Sequence, residues 1–240
     1  MFDNRTIGIF DSGLGGLTVA AALSTELPGE SLPYLGDTAR VPYGNKSADV
    51  VKSYAYHCAN FLQQENVKMI VVACNTASAY GLEHLRAHFD IPVVGVVQAG
   101  AELALATTAT KNIGVIGTRA TIQSKRYEEV LKELDEESKC RSVACPLLVP
   151  LAEEGMVEHH LTDALLKEYL DGFNSFSLDT LILGCTHYPL FQERISSIVG
   201  EDVNVINSAQ AVAKLVKETL TAKNICSDSQ EQQHHFYVTD

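Results

Sequence analysis

The sequence predicts an α/β fold of two pseudo-symmetric lobes, each a mostly parallel sheet flanked by helices. Two observations carry this reading. Short apolar runs of strand length alternate with helix-length amphipathic stretches almost throughout the chain. That is the pattern of sheets buried on both faces beneath helices. Strand–turn phrases also recur at a near-constant interval. Ile7-Gly-Ile-Phe-Asp11-Ser12-Gly matches Ile113-Gly-Val-Ile-Gly117-Thr118-Arg, 106 residues further on. Val-Val-Ala-Cys74-Asn-Thr-Ala matches Leu-Ile-Leu-Gly-Cys185-Thr-His, 111 residues further on. Two features shifted by almost the same amount imply two similar lobes, each supplying one thiol to a shared cleft.

The elements follow in order. A strand near 6–10 leads through Asp11-Ser12-Gly13-Leu14-Gly15-Gly16 into a helix near 16–27. A strand near 32–36 opens the loop Gly36-Asp37-Thr38-Ala39-Arg40-Val41-Pro42-Tyr43-Gly44, and a helix follows near 47–65. The apolar run near 68–73 reads as a buried strand ending at Cys74, with a helix near 77–88. A strand near 92–97 reaches Val97-Gln98-Ala99-Gly100, the expected crossover. Beyond it come helices near 100–107, 120–136, 158–172 and 189–199, with strands near 112–117, 142–145, 178–184 and 203–206. A helix near 208–221 and a strand near 235–238 then return to the first lobe. The expected domains are therefore 1–97 together with 208–240, and 98–207.

Composition narrows the function. The 240 residues carry a net charge of −12 and a pI near 5.1. An acidic chain lacks the basic footprint that nucleic acid or an anionic membrane requires. No apolar run approaches the length of a bilayer span, and the N-terminal residues do not resemble a signal peptide. The six cysteines at 58, 74, 140, 145, 185 and 226 show no CxxC spacing. They read as free thiols of a reducing cytoplasm rather than a disulfide framework.

Cys74-Asn75-Thr76 and Cys185-Thr186-His187 form the strongest constellation. Each thiol stands at the C-terminal end of a strand, where open α/β sheets bind ligands. Each precedes a helical stretch, and a helix N-terminus lowers a thiol pKa toward neutrality. Two thiols on opposite faces of one carbon would suit a reversible two-base proton transfer. Zinc is the competing reading for Cys-x-His with a remote Cys, but the usual ligand spacing is absent. His187 fits either a site residue or a packed histidine that orients the loop. Asp11 and Ser12 suit a helix cap and a small-anion site at once. A dinucleotide fingerprint would need glycine where Thr18 stands. The Gly36–Gly44 loop fits turn chemistry and ligand contact equally well. Glu153 and Glu154 read as an acidic turn bounded by Pro150 and Gly155. Cys58 and Cys145 read as packing residues, Cys140 and Cys226 as surface or loop thiols.

Four strings together resemble the glutamate racemases of the aspartate/glutamate racemase superfamily: Ile-Phe-Asp11-Ser-Gly-Leu-Gly-Gly, Gly36-Asp-Thr-Ala-Arg-Val-Pro-Tyr-Gly44, Val-Ala-Cys74-Asn-Thr-Ala-Ser-Ala and Gly184-Cys-Thr-His-Tyr-Pro-Leu190. The resemblance implies two α/β lobes with the active site in the cleft between them. It implies interconversion of L- and D-glutamate without cofactor or metal, supplying D-glutamate for peptidoglycan. Cys74 and Cys185 would be the two bases, serving the D- and L-glutamate faces respectively. Asp11 would assist Cys74, and Glu153 and His187 would assist Cys185. Asp11, Ser12, Tyr43, Gly44, Asn75, Thr76, Thr186 and His187 match substrate-contacting positions. A cytoplasmic homodimer is implied. One departure stands out: the family usually has Pro-Gly where this chain has Ala99-Gly100, which implies a less restrained crossover.

Overall fold

The computed structural model describes residues 2–229 and 231–240. It divides into two compact units, Met1–Val96 with Ala209–Asp240, and Val97–Ser208.

The first unit begins with β1 (Ile7–Asp11), α1 (Leu17–Glu26), β2 (Leu32–Gly36), α2 (Ala48–Gln64), β3 (Met69–Val72), α3 (Asn75–His88) and β4 (Val93–Gly95). The second holds most of α4 (Val96–Thr107), then β5 (Asn112–Gly117), α5 (Arg119–Gln123), α6 (Arg126–Leu134), β6 (Lys139–Ala144), α7 (Leu148–Glu153), α8 (His160–Leu170), β7 (Thr180–Gly184), α9 (Gln192–Val199) and β8 (Asn204–Asn207). The chain returns through α10 (Ser208–Lys223) and β9 (His234–Val238).

Both sheets are parallel among the described residues. The first runs β4-β3-β1-β2-β9 and the second β6-β5-β7-β8. Read from the other end, the second is β8-β7-β5-β6, so each unit places its fourth, third, first and second strands side by side. Registers agree as well: Phe10 pairs with Val72, and Ile116 with Leu183. Every residue of β1, β2, β3 and β7 is buried, which is why these strands read as continuous apolar runs rather than alternating ones. α2 lays Val51, Ala55, Cys58, Ala59 and Leu62 into one core. A core of the second unit gathers Leu148, Leu166, Leu170 and Phe173 with Leu181 and Leu183.

Four local expectations change. The helix expected over 120–136 is broken between α5 and α6, where Lys125 takes a left-handed φ of 57°. The strand expected over 92–97 stops at Gly95, because Val96 and Val97 begin α4; Ala99 is buried in that helix's first turn. Glu153 is the last residue of a short helix, α7, rather than part of a turn. Cys140, expected on a loop or the surface, lies half-buried on β6, which starts at Lys139 rather than 142.

Candidate active site

In the first unit, three strand ends supply the polar groups. β1 ends at Asp11, which is fully buried. Its carboxylate accepts the backbone N–H of Gly13 at 3.1 Å and of Gly16 at 3.0 Å. A side chain at Gly16 would place its Cβ 2.4 Å from Asp11 Cβ and 2.9 Å from the Tyr34 hydroxyl, so glycine is required there. Tyr34, on β2, is buried and donates to Gly13 O at 2.7 Å, which pins the glycine turn from below.

β3 ends at Val72, two residues before Cys74, which is the N-cap of α3 and accepts the Ala77 N–H on its sulfur at 3.5 Å. Ser12 Oγ lies 3.6 Å from the same sulfur. Asn75 and Thr76 are buried in the first turn of α3, where helix N–H groups lack intrahelical acceptors. The backbone around Cys74 is thus an anion-receptive surface with a thiol at its centre.

The thiol does not titrate as the helix N-terminus alone predicts. Burial pushes the Cys74 thiol up to about 12, and the Asp11 charge adds to it, while the Ala77 and Ser12 hydrogen bonds oppose both. At neutral pH Cys74 rests as the thiol. Sequence shows the helix start but not the depth of burial, and here burial outweighs the helix.

The Gly36–Gly44 loop folds into 3₁₀ turns at Thr38–Arg40 and Tyr43–Asn45. Tyr43 is buried, with its hydroxyl donating to Asp37 Oδ2 at 2.5 Å and lying 3.8 Å from Cys58 Sγ. Its phenol is therefore committed within the protein.

In the second unit β7 ends at Gly184, immediately before Cys185. Glycine is again demanded, since a Cβ there would lie 2.7 Å from Ile116 O on β5. Cys185 and Thr186 are buried, and His187 Nδ1 lies 3.9 Å from the Cys185 sulfur. The other ring nitrogen, Nε2, is 3.4 Å from Glu153 Oε1. His187 is nearly enclosed whereas Glu153 is about half exposed. Thiol, imidazole and carboxylate form a chain leading from the core to solvent. Tyr188 anchors the turn by donating to Cys145 O at 2.7 Å.

The structure thus brings Asp11, Ser12, Cys74, Asn75 and Thr76 together in one unit, and Cys185, Thr186, His187 and Glu153 together in the other. Tyr43 and Gly44 lie on the neighbouring loop of the first unit. Sequence reasoning passed over Tyr34, because a tyrosine inside an apolar strand carries no mark of its backbone partner. Among the described residues, no group of three or more His, Cys, Asp or Glu side chains is placed to hold a metal ion. No helix among them is long and apolar enough to cross a membrane.

Residues 17–216 match the family model for Asp/Glu/Hydantoin racemases. The glutamate racemase of Aquifex aeolicus is 50% identical over 234 residues, covering 98% of this chain and 88% of that protein. Glutamate racemase isoform RacE1 from Bacillus anthracis superposes with a TM-score of 0.97 at 42% identity, over 99% of this chain and 90% of that one. The glutamate racemase of Francisella tularensis, solved in complex with D-glutamate, gives 0.93 at 38% identity, over 100% and 89%. This chain belongs to the Asp/Glu/hydantoin racemase family and, within it, to the glutamate racemases.

Proposed function

We propose that this chain interconverts L- and D-glutamate by a two-thiol, cofactor-independent proton transfer at Cα, supplying D-glutamate for peptidoglycan. The observation that carries the residue assignment is the topological equivalence of Cys74 and Cys185. Each follows the third strand of its unit, flanked by buried hydrogen-bonding side chains.

Going from L- to D-glutamate, the Cys185 thiolate takes the Cα proton and the Cys74 thiol gives its own to the opposite face. The enzyme is left with a Cys74 thiolate and a Cys185 thiol, the state required for the reverse direction. The resting protonation of Cys74 supports its role as the acid of the first step. The Asp11 charge beside it makes the thiolate, once formed, a stronger base, as removal of a weakly acidic Cα proton demands. On the other side His187 stands within reach of the Cys185 sulfur, with Glu153 holding the ring. Substrate carboxylates are held by Ser12, Asn75, Thr76, Thr186 and the backbone N–H groups of Tyr43 and Gly44. An acidic protein can bind an acidic substrate this way, because such donors act locally.

All six thiols are free, which supports a cytoplasmic location. A homodimer rests on family resemblance and is read from light scattering of the purified protein. The deciding assay follows optical rotation of L-glutamate and of L-aspartate with excess chelator present. Racemisation of glutamate that survives chelator is expected. Activity on aspartate alone, or its loss to chelator, would exclude this reading.

A further inference from the structure

Beyond β9 the chain reaches the Gly36–Gly44 loop chiefly through Thr239. β9 pairs in parallel with β2, and Thr239 just beyond it hydrogen-bonds to the loop through its backbone and its hydroxyl. Its N–H donates to Gly36 O at 3.1 Å, and its carbonyl accepts the Thr38 hydroxyl. Its hydroxyl oxygen accepts the Ala39 N–H at 3.1 Å while the hydroxyl proton goes to Asp37 Oδ1 at 2.8 Å. The other oxygen of Asp37 accepts the Tyr43 hydroxyl.

Asp37 is fully buried, and its remaining cationic neighbour, Arg40 Nε, stands 3.6 Å away. A buried carboxylate holds its position only while its oxygens are satisfied. Thr239 supplies the donor for one oxygen and Tyr43 the donor for the other. The Arg40 guanidinium lies over the Tyr54 ring, 4.8 Å from its centre, and Tyr54 in turn flanks Tyr43. Rotation of Asp37 would therefore disturb Tyr43 from two sides.

We propose that Thr239 is a positioning residue for glutamate binding, acting through Asp37 to fix the Tyr43–Gly44 backbone. The proposal rests on the reading of that backbone as a substrate contact. It adds to it a determinant some two hundred residues away in sequence, on the last strand of the first sheet. Thr239 touches no substrate. It sets the loop that does.

Steady-state kinetics and thermal melting of Thr239→Val, Thr239→Ser and Gly44→Pro test this. Valine keeps the shape and removes the hydroxyl, serine keeps the hydroxyl, and proline deletes the Gly44 N–H. Thr239→Val should raise KM for glutamate about five- to tenfold with kcat within about twofold, the pattern of lost ground-state binding. Thr239→Ser should restore the wild-type KM, and both should melt within a few degrees of wild type. An unchanged KM in Thr239→Val, beside a large rise in Gly44→Pro, overturns the proposal and leaves the substrate reading intact. An unchanged KM in folded Gly44→Pro overturns the substrate reading, and the proposal with it. Equal KM rises for valine and serine would show that the retained hydroxyl is not what sets KM and would also refute the hydroxyl relay.

Discussion

The two units share a strand order but not an electrostatic design. Register equates Asp11 with Gly117, Ser12 with Thr118 and Asp37 with Cys145, since each pair ends matching strands. The buried carboxylate beside Cys74 thus has no counterpart at the corresponding position beside Cys185. There the carboxylate arrives from α7 and reaches the sulfur only through His187. Cys74 caps α3 directly, whereas Cys185 is followed by the 3₁₀ turn Tyr188–Phe191 before α9. Topology places a thiol at the same point of each unit, and the side chains around it set its proton affinity. Equal positions do not have equal surroundings.

The sharpest way to break this comparison is to remove one thiol at a time. Cys74→Ala and Cys185→Ala should each cut racemisation by about 10³-fold or more, since each direction needs both an acid and a base. Cys140→Ala should stay active. Substantial racemisation by either of these two variants would show that one thiol suffices.

The assisting groups come next. Asp11→Asn and His187→Asn should each lower kcat by roughly 10- to 100-fold, at or below the lower end of general acid–base assistance. Their pH profiles should differ. Removing the Asp11 charge removes one cause of the raised Cys74 pKa, so any alkaline limb set by Cys74 should move to lower pH. In His187→Asn that limb should stay in place. Identical shifts in the two variants would erase the distinction between the units.

The resting state of Cys74 can be read without turnover. Its alkylation by iodoacetamide, followed by mass spectrometry, should be slow at pH 7.5 and rise steeply toward pH 11. The sign carries over to stability. A thiol at about 12 in the folded protein against an ordinary value of 9.0 keeps its proton longer when folded. The folded state then binds more protons than the unfolded one between those values, and stability declines as pH rises through that window. Cys58, Cys140 and Cys145 are also pushed up to about 12, chiefly by burial, and add to the same trend. A urea midpoint unchanged between pH 8 and pH 10.5 would contradict it.

The smallest effect belongs to Glu153→Gln. A carboxylate about half exposed, 3.4 Å from His187, contributes in the range of exposed ion pairs, up to about 1 kcal/mol. That corresponds to no more than about a fivefold change in kcat. A loss as large as that of His187→Asn would make Glu153 a full partner rather than a tether.

Much of the fold was legible because buried parallel strands write themselves as unbroken apolar runs, as Met69–Val72 and Thr180–Gly184 do. The failures have local causes. Val96 and Val97 extend an apolar run without a period, so strand and helix could not be told apart there. Pro150 sits in the first turn of α7, where proline is tolerated, yet in sequence it reads as a breaker. Lysine gives no sign of the left-handed backbone at Lys125. The two thiols stood out through their repeated setting, but their proton affinities depend on burial and on neighbours distant in sequence. The Asp37–Thr239 bond was invisible for the same reason, since nothing near either residue points to the other.

The division of the chain also has a consequence during synthesis. The second unit is one continuous segment, whereas the first is written in two pieces separated by it. A ribosome releases all four strands of the second sheet before α10 and β9 exist. The inserted unit can therefore close its hydrogen-bonded ladder while its host still shows an open edge along β2. Nascent chains stalled shortly beyond the α10 coding region would present that edge to chaperones until β9 emerges and pairs with it.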